Sequence, residues 1–247
     1  MHFKTRILAS AACLAAIIAS PAFADTSLTA NAQFTTDYVL RGITQTATRP
    51  AVQGGLDFDT GIGITAGTWV SSLDFGDNTP LEWDLYAAYN FNLGPVSASL
   101  GGIGYIYPSA GHFGPYNYFE FTSTLGHDFG VLAWSAKAYY SPFTMPLGFL
   151  DIRGVHPETE YFLSTGLSVP FMPYVAISGN IGYEGYTGAG TTDYTEWDLG
   201  VTVTYDKYAF DLRYIDTSKH AGTAITSAGA FFNTGPFVVG TFTFKFP

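Results

Sequence analysis

The amino-acid sequence predicts an all-β fold, a transmembrane antiparallel up-and-down β-barrel of about 12 strands. Three observations carry that expectation. Stretches of about ten residues alternate apolar and polar side chains with a period of two, as strands with one lipid-facing and one lumen-facing side do. Apolar residues make up 47% of the 247-residue chain and aromatics 17%, while only 12% are charged, too few for an ordinary soluble surface. Finally, the N-terminus carries an export leader, and no later segment is apolar for long enough to cross a membrane as a helix.

The leader is residues 1–24: basic Lys4 and Arg6, an apolar run from Ile7 to Ala19, and a small-residue Pro21-Ala22-Phe23-Ala24 site that puts the mature start at Asp25. The apolar run is shorter than the roughly 18 residues that a spanning helix needs, so it reads as a removable signal peptide. Cys13 makes a poor lipidation site, with Ser10 where an aliphatic is usual and the apolar run continuing past it. Residues 25–247 then form a single barrel domain, with no charge run or low-complexity spacer to divide it.

Among the strands, Leu81–Leu93 is the clearest: Leu81, Trp83, Leu85, Ala87, Tyr89, Phe91 and Leu93 share one face, and Glu82, Asp84, Tyr86, Asn90 and Asn92 the other. Tyr194–Lys207 repeats the rule with Trp197, Leu199, Val201, Val203 and Tyr205 against Glu196, Asp198 and Thr202. Val131–Tyr140 does so with Leu132, Trp134, Ala136, Ala138 and Tyr140 against Ser135 and Lys137. Weaker strands are expected at Leu28–Gln45, Ala51–Phe58, Ile62–Phe75, Val96–Tyr107, Tyr116–Gly126, Thr159–Val169, Tyr174–Glu184, Tyr208–Asp216 and Pro236–Phe246. Short turns at Asn92–Pro95, Gly126–Gly130 and Pro170–Pro173, with long connections at Pro142–Glu158 and Thr217–Gly235, give the two unlike rims of such barrels. Tyr105, Tyr107, Tyr139 and Tyr140, near strand ends, are expected in the interfacial girdles. A soluble barrel would have to turn Trp83, Tyr89, Phe91, Trp134, Tyr140, Trp197 and Tyr205 inward, which would crowd its core.

Of the 10 Lys and Arg residues, Lys4 and Arg6 leave with the leader, so eight face 20 Asp and Glu, a formal net charge of −12. That balance excludes nucleic acid as a partner and leaves the lipid bilayer, small solutes or ions, and the outer-membrane assembly machinery. The sole Cys leaves too, so no disulfide framework or thiol chemistry is expected. With the aromatic faces on lipid, the candidate lumen residues are Glu82, Asp84, Glu120, Lys137, Glu196, Asp198, Asp211, Arg213 and Lys245, with Asp37 and Arg41 from the first strand. They read either as an internal ion-pair network or as the lining of a water-filled path in which excess carboxylate favours cations. Arg41, beside Gly42, is the best candidate for a dedicated lumen cation, or else a partner of Asp37 on the same strand face.

No catalytic residues, metal or cofactor are expected. The mature histidines His112, His127, His156 and His220 lie in polar or Gly/Pro-rich connections, none has a Ser at i+2, and no two are spaced as metal ligands.

The run Thr35-Thr36-Asp37-Tyr38-Val39-Leu40-Arg41-Gly42-Ile43-Thr44-Gln45-Thr46 resembles the opening strand of the TorF-type porin family, S-x-Y-x-x-R-G-x-S-Q-T, with Thr36 and Thr44 where Ser is commoner. Similarity continues through Pro50–Asp57, Gly67–Ser72, Glu82–Tyr86, Tyr105–Pro108 and Asp193–Trp197. The resemblance implies an outer-membrane barrel of about twelve strands with a channel role. One departure is the end of the chain, where the aromatic Phe246 is penultimate to Pro247. The expectation is thus an outer-membrane channel of a Gram-negative bacterium for passive diffusion of small solutes or ions, cation-preferring if the lumen carboxylates set its selectivity. The alternatives are a plugged barrel whose loops around Phe143–His156 and Thr217–Asn233 bind partners and, less favoured, a barrel hydrolase.

Overall fold

The computed structural model describes residues 26–76, 79–109, 112–113, 117–142, 159–187, 193–219 and 234–246. Among these, twelve antiparallel strands close into one barrel: β1 (Ser27–Thr35), β4 (Ala51–Asp59), β5 (Ile64–Ser72), β6 (Leu81–Leu93), β7 (Val96–Ile106), β10 (Tyr118–Asp128), β11 (Ala133–Ser141), β12 (Glu160–Met172), β13 (Val175–Tyr186), β14 (Tyr194–Tyr205), β15 (Tyr208–Thr217) and β16 (Phe237–Phe246). Closure is by β1 on β16, with Ala30 opposite Phe246 and Thr35 opposite Thr241, so no barrel edge is left unpaired. Two short hairpins lie outside the ring: β2 (Val39–Leu40) with β3 (Ile43–Thr44), and β8 (Pro108–Ser109) with β9 (His112–Phe113). The predicted leader, and the long connections at 143–158 and 220–233, lie outside the described residues.

Strands of nine to thirteen residues have the length that a tilted crossing of the hydrocarbon layer demands. Their period of two does the sorting. On β6, Leu81, Trp83, Leu85 and Tyr89 are exposed, whereas Glu82 and Asp84 are fully buried. On β14 Trp197, Leu199, Val201 and Val203 point out, while Glu196 and Thr202 point in. So large a continuous exposed apolar surface is tolerated only in lipid. At the short-turn rim the outer face carries Tyr89 stacked on Phe91, Tyr174 against Tyr205, and Tyr208 beside Phe242 and Phe244, an aromatic girdle.

Several expectations are corrected. Tyr105, Tyr107 and Tyr139 point into the barrel; of the four girdle tyrosines only Tyr140 faces out. In β7 the run Leu100-Gly-Gly-Ile-Gly-Tyr-Ile puts apolar residues on both faces, and the glycines hide the phase. His127 belongs to β10, and the turn beyond it is Phe129–Leu132, closed by the Phe129 N–H on the Leu132 carbonyl at 2.9 Å. Strand β12 likewise runs through Pro170 to Met172, with a register shift there, leaving Pro173-Tyr174 as the turn. The largest departure is at the first strand, which ends at Thr35 and not near Gln45.

Candidate functional site

After Thr35 the chain leaves the wall and folds inward. The Thr36 N–H still reaches the Gly240 carbonyl at 2.9 Å, but Thr35 Oγ1 donates to the Asp37 carbonyl at 2.7 Å and turns the backbone. Val39–Leu40 and Ile43–Thr44 then pair around a two-residue loop, Arg41-Gly42, with φ of 48° and 79°. Positive φ at both loop positions is what a tight hairpin with native twist requires, and Gly at the second position adopts it without strain. Gly42 has a second reason to lack a side chain, since a Cβ there would run into Thr217 Cγ2 and sit 3.2 Å from Glu196 Cβ.

The hairpin is held together from within. Asp37 Oδ1 accepts from Thr44 Oγ1 at 2.5 Å and Thr46 Oγ1 at 2.9 Å, and the Gln45 N–H donates to the Tyr38 carbonyl at 2.6 Å. Burial pushes the Asp37 carboxyl above its ordinary pKa, against the pull of those two hydroxyls. Its foot is apolar: Tyr38 packs edge-on to Trp69 with ring centres 5.3 Å apart, inside a buried cluster with Leu73, Phe75, Ile103, Tyr105 and Tyr107. The Tyr38 hydroxyl donates to Glu82 Oε1 at 2.7 Å, and the Asp74 N–H to the Gln45 carbonyl at 3.0 Å.

Its tip lands on the opposite wall, about half-way round the ring. Arg41 Nη2 donates to Glu120 of β10 at 2.7 and 2.9 Å, and Nη1 to Glu160 of β12 at 3.2 Å and Glu184 of β13 at 3.2 and 3.3 Å. The guanidinium also lies over the rings of Tyr139 and Phe162, 4.8 and 4.7 Å from their centres. The Tyr194 hydroxyl fixes the Arg41 carbonyl at 2.9 Å, and Ile43 bridges to Thr234. Of the two readings of Arg41, the pairing with Asp37 on one strand face therefore does not form. Because Arg41 sits at a hairpin tip, its side chain reaches across the bore while Asp37 stays at the foot.

A second buried cluster lies deeper. Arg213 pairs with Asp198, is held doubly by Asp211 at 3.0 and 3.1 Å, and donates to Ser178 Oγ at 2.9 Å; Thr202 and Asn180 complete the carboxylates. Gly200 opposite leaves the room, for its Cβ would come within 2.7 Å of the guanidinium carbon. Between the hairpin and this wall is a cavity of about 80 Å³, bordered by Val39, Arg41, Lys137, Asn180, Glu196, Asp198 and Arg213. Among the sequence candidates, Glu82 and Asp84 lie instead behind the hairpin beside the aromatic cluster, and Glu120 is under Arg41. Lys245 lies near the short-turn rim, opposite Asn31. Missed altogether were Glu160, Glu184 and Tyr38. The two glutamates share the inward phase with Phe162 and Gly182 near strand ends, so carrying the period of two to those ends would have found them.

His127 Nδ1 lies 2.8 Å from the Pro95 carbonyl, against the Phe129 ring at the outer short-turn rim. Among the described residues no group of three or more His, Cys, Asp or Glu side chains is placed to hold a metal ion.

A closed twelve-stranded barrel with an apolar exterior and a charged interior defines the class, a transmembrane β-barrel protein. Residues 19–242 match one family model throughout, and the chain belongs to that family, described as a bacterial protein of unknown function (Gcw_chp), not under the TorF name. None of the curated proteins matches. Among solved structures, a KdgM porin is similar at a TM-score of 0.56 and 8% identity, covering 89% of this chain and 98% of that one, a likeness of fold. The outer membrane channel DcaP of Acinetobacter baumannii is similar at 0.44 and 10% identity, over 90% of this chain and 97% of that one.

Proposed function

We propose that this protein is an outer-membrane channel for passive diffusion of small solutes or ions, exported by its 1–24 leader, with a bore narrowed by the inward hairpin and a preference for cations. The observation that carries the reading is the charged cavity left between the hairpin and the β11–β15 wall. Polar, charged space beside the hairpin can hold water, which a diffusion path through the bore needs. The inward-facing residues of the short-turn half support the same reading. On its β7–β13 arc, Ser97, Ser99, Thr124, Ser135, Gly166, Ser168 and Ala176 are small, so side chains of that arc leave room in the bore. The fold shared with a KdgM porin agrees with it. The described histidine side chain, His127, is engaged at the outer rim, which gives a hydrolase reading no support.

The test is single-channel conductance of the purified protein in a planar bilayer, with a heat-modifiability gel to establish that the barrel is closed. Discrete steps are expected. A closed barrel that gives no steps, even when residues 37–46 are replaced by a short Gly/Ser link, would reject the channel and favour a structural or partner-binding barrel.

A further inference from the structure

The two ends of the inward hairpin are held by different physics. The foot is packed into the Tyr38–Trp69 cluster, and the turn internally satisfies its own polar groups through Asp37, Thr44 and Thr46. The tip meets the far wall through the Arg41 side chain, its one charged contact, with the Tyr194 hydroxyl on the Arg41 carbonyl and a single backbone bridge from Ile43 to Thr234 beside it. Releasing the tip therefore leaves an intact hairpin on an intact hinge. Moreover, the tip pocket has three carboxylates for one guanidinium, and nothing in its chemistry requires that the guanidinium be tethered.

We propose that residues 36–46 form a latched strap across the bore, with Arg41 as the latch, and that free guanidinium-type cations compete with Arg41 for the Glu120–Glu160–Glu184 pocket and so open the channel. The planar fork matters: a guanidinium can serve Glu120 and Glu184 from different edges while stacking on Tyr139 and Phe162, which an ammonium cannot do. The inference rests on the channel reading for its consequence, but not for its mechanics.

Arg41→Gly is the informative variant, because glycine keeps the positive φ of the turn, and Arg41→Lys keeps the charge without the fork. Two readouts separate the strap from the channel. With Cys13→Ser and Val39→Cys, the introduced thiol is the sole one, and its maleimide labelling reports the strap directly. Labelling is expected to be at least about tenfold faster with Arg41→Gly, intermediate with Arg41→Lys, and accelerated by methylguanidinium, but not by methylammonium, only where Arg41 is present. Conductance of the Cys-free barrel is expected to follow the same order. Equal labelling with Arg41 in place and with Arg41→Gly, or equal action of the two cations, would make the strap a fixed wall element and overturn the proposal. Faster labelling of closed barrels that never conduct would support the latch while rejecting the channel.

Discussion

A charge inside a barrel is kept by its partners, and Arg213 makes the point residue by residue. Its guanidinium is nearly inaccessible and is shared between Asp198 of β14 and Asp211 of β15, inward-facing carboxylates on neighbouring strands with Arg213 placed between them in the register. Removing one partner of a buried pair leaves an uncompensated charge, at a cost of about 3–5 kcal/mol. Arg213→Met is accordingly expected to lower the temperature at which the barrel opens on a heat-modifiability gel, and adding Asp198→Asn and Asp211→Asn to recover most of the loss. A triple variant as unstable as the single one would show that Arg213 acts by shape and not by charge. Gly42 tests a different force. Any side chain there meets both a left-handed backbone and Thr217, so Gly42→Ala should displace the hairpin tip and raise conductance. Thr217→Ser in the same chain would relieve the clash but not the φ, so only partial recovery is expected.

Strands were legible because one physical constraint, lipid on one side and a polar bore on the other, acts on every second residue. Leu81–Leu93 is a strand over the predicted residues, and each of the twelve expected segments has a barrel strand within it or overlapping it. What the alternation could not convey is phase where glycines and aromatics mix, as at Tyr105, or a local turn embedded in an apolar-looking run. Val39-Leu40-Arg41-Gly42-Ile43 satisfies the strand pattern, yet Gly42 lets it reverse, and the pull of distant Glu120, Glu160 and Glu184 is invisible in a local window. Half of the candidate site was therefore readable, the inward charges, and the other half, which charge meets which, was not. The element also predicts its own tolerance. Leu199, midway along β14, faces out, so Leu199→Arg should cost about 2–4 kcal/mol in lipid, whereas Ser164→Lys on the inward face of β12 should cost much less. Urea unfolding of the two variants in bilayers measures the difference, and equal losses would contradict the assigned faces.

For the whole molecule, the question is which charges a passing ion would meet. Around the cavity and the latch stand six carboxylates, Glu120, Glu160, Glu184, Glu196, Asp198 and Asp211, against three cations, Arg41, Lys137 and Arg213. If the bore conducts as proposed, that excess in a narrow, low-dielectric path would favour cations over anions. Glu82 and Asp84 carry the same charge but sit behind Tyr38 and beside Trp69, on the far side of the hairpin from the cavity. The barrel thus separates two acidic pairs that the sequence alone could not tell apart. Glu196→Gln with Asp198→Asn should move the reversal potential in a salt gradient towards the anion side, doubly so because losing Asp198 also uncovers Arg213. Glu82→Gln with Asp84→Asn should leave the reversal potential where it was and instead weaken the hairpin foot, since Tyr38 would keep only a neutral partner. If the two double variants shift selectivity equally, ions pass on both sides of the hairpin, and the strap is then an island in the bore and not its wall.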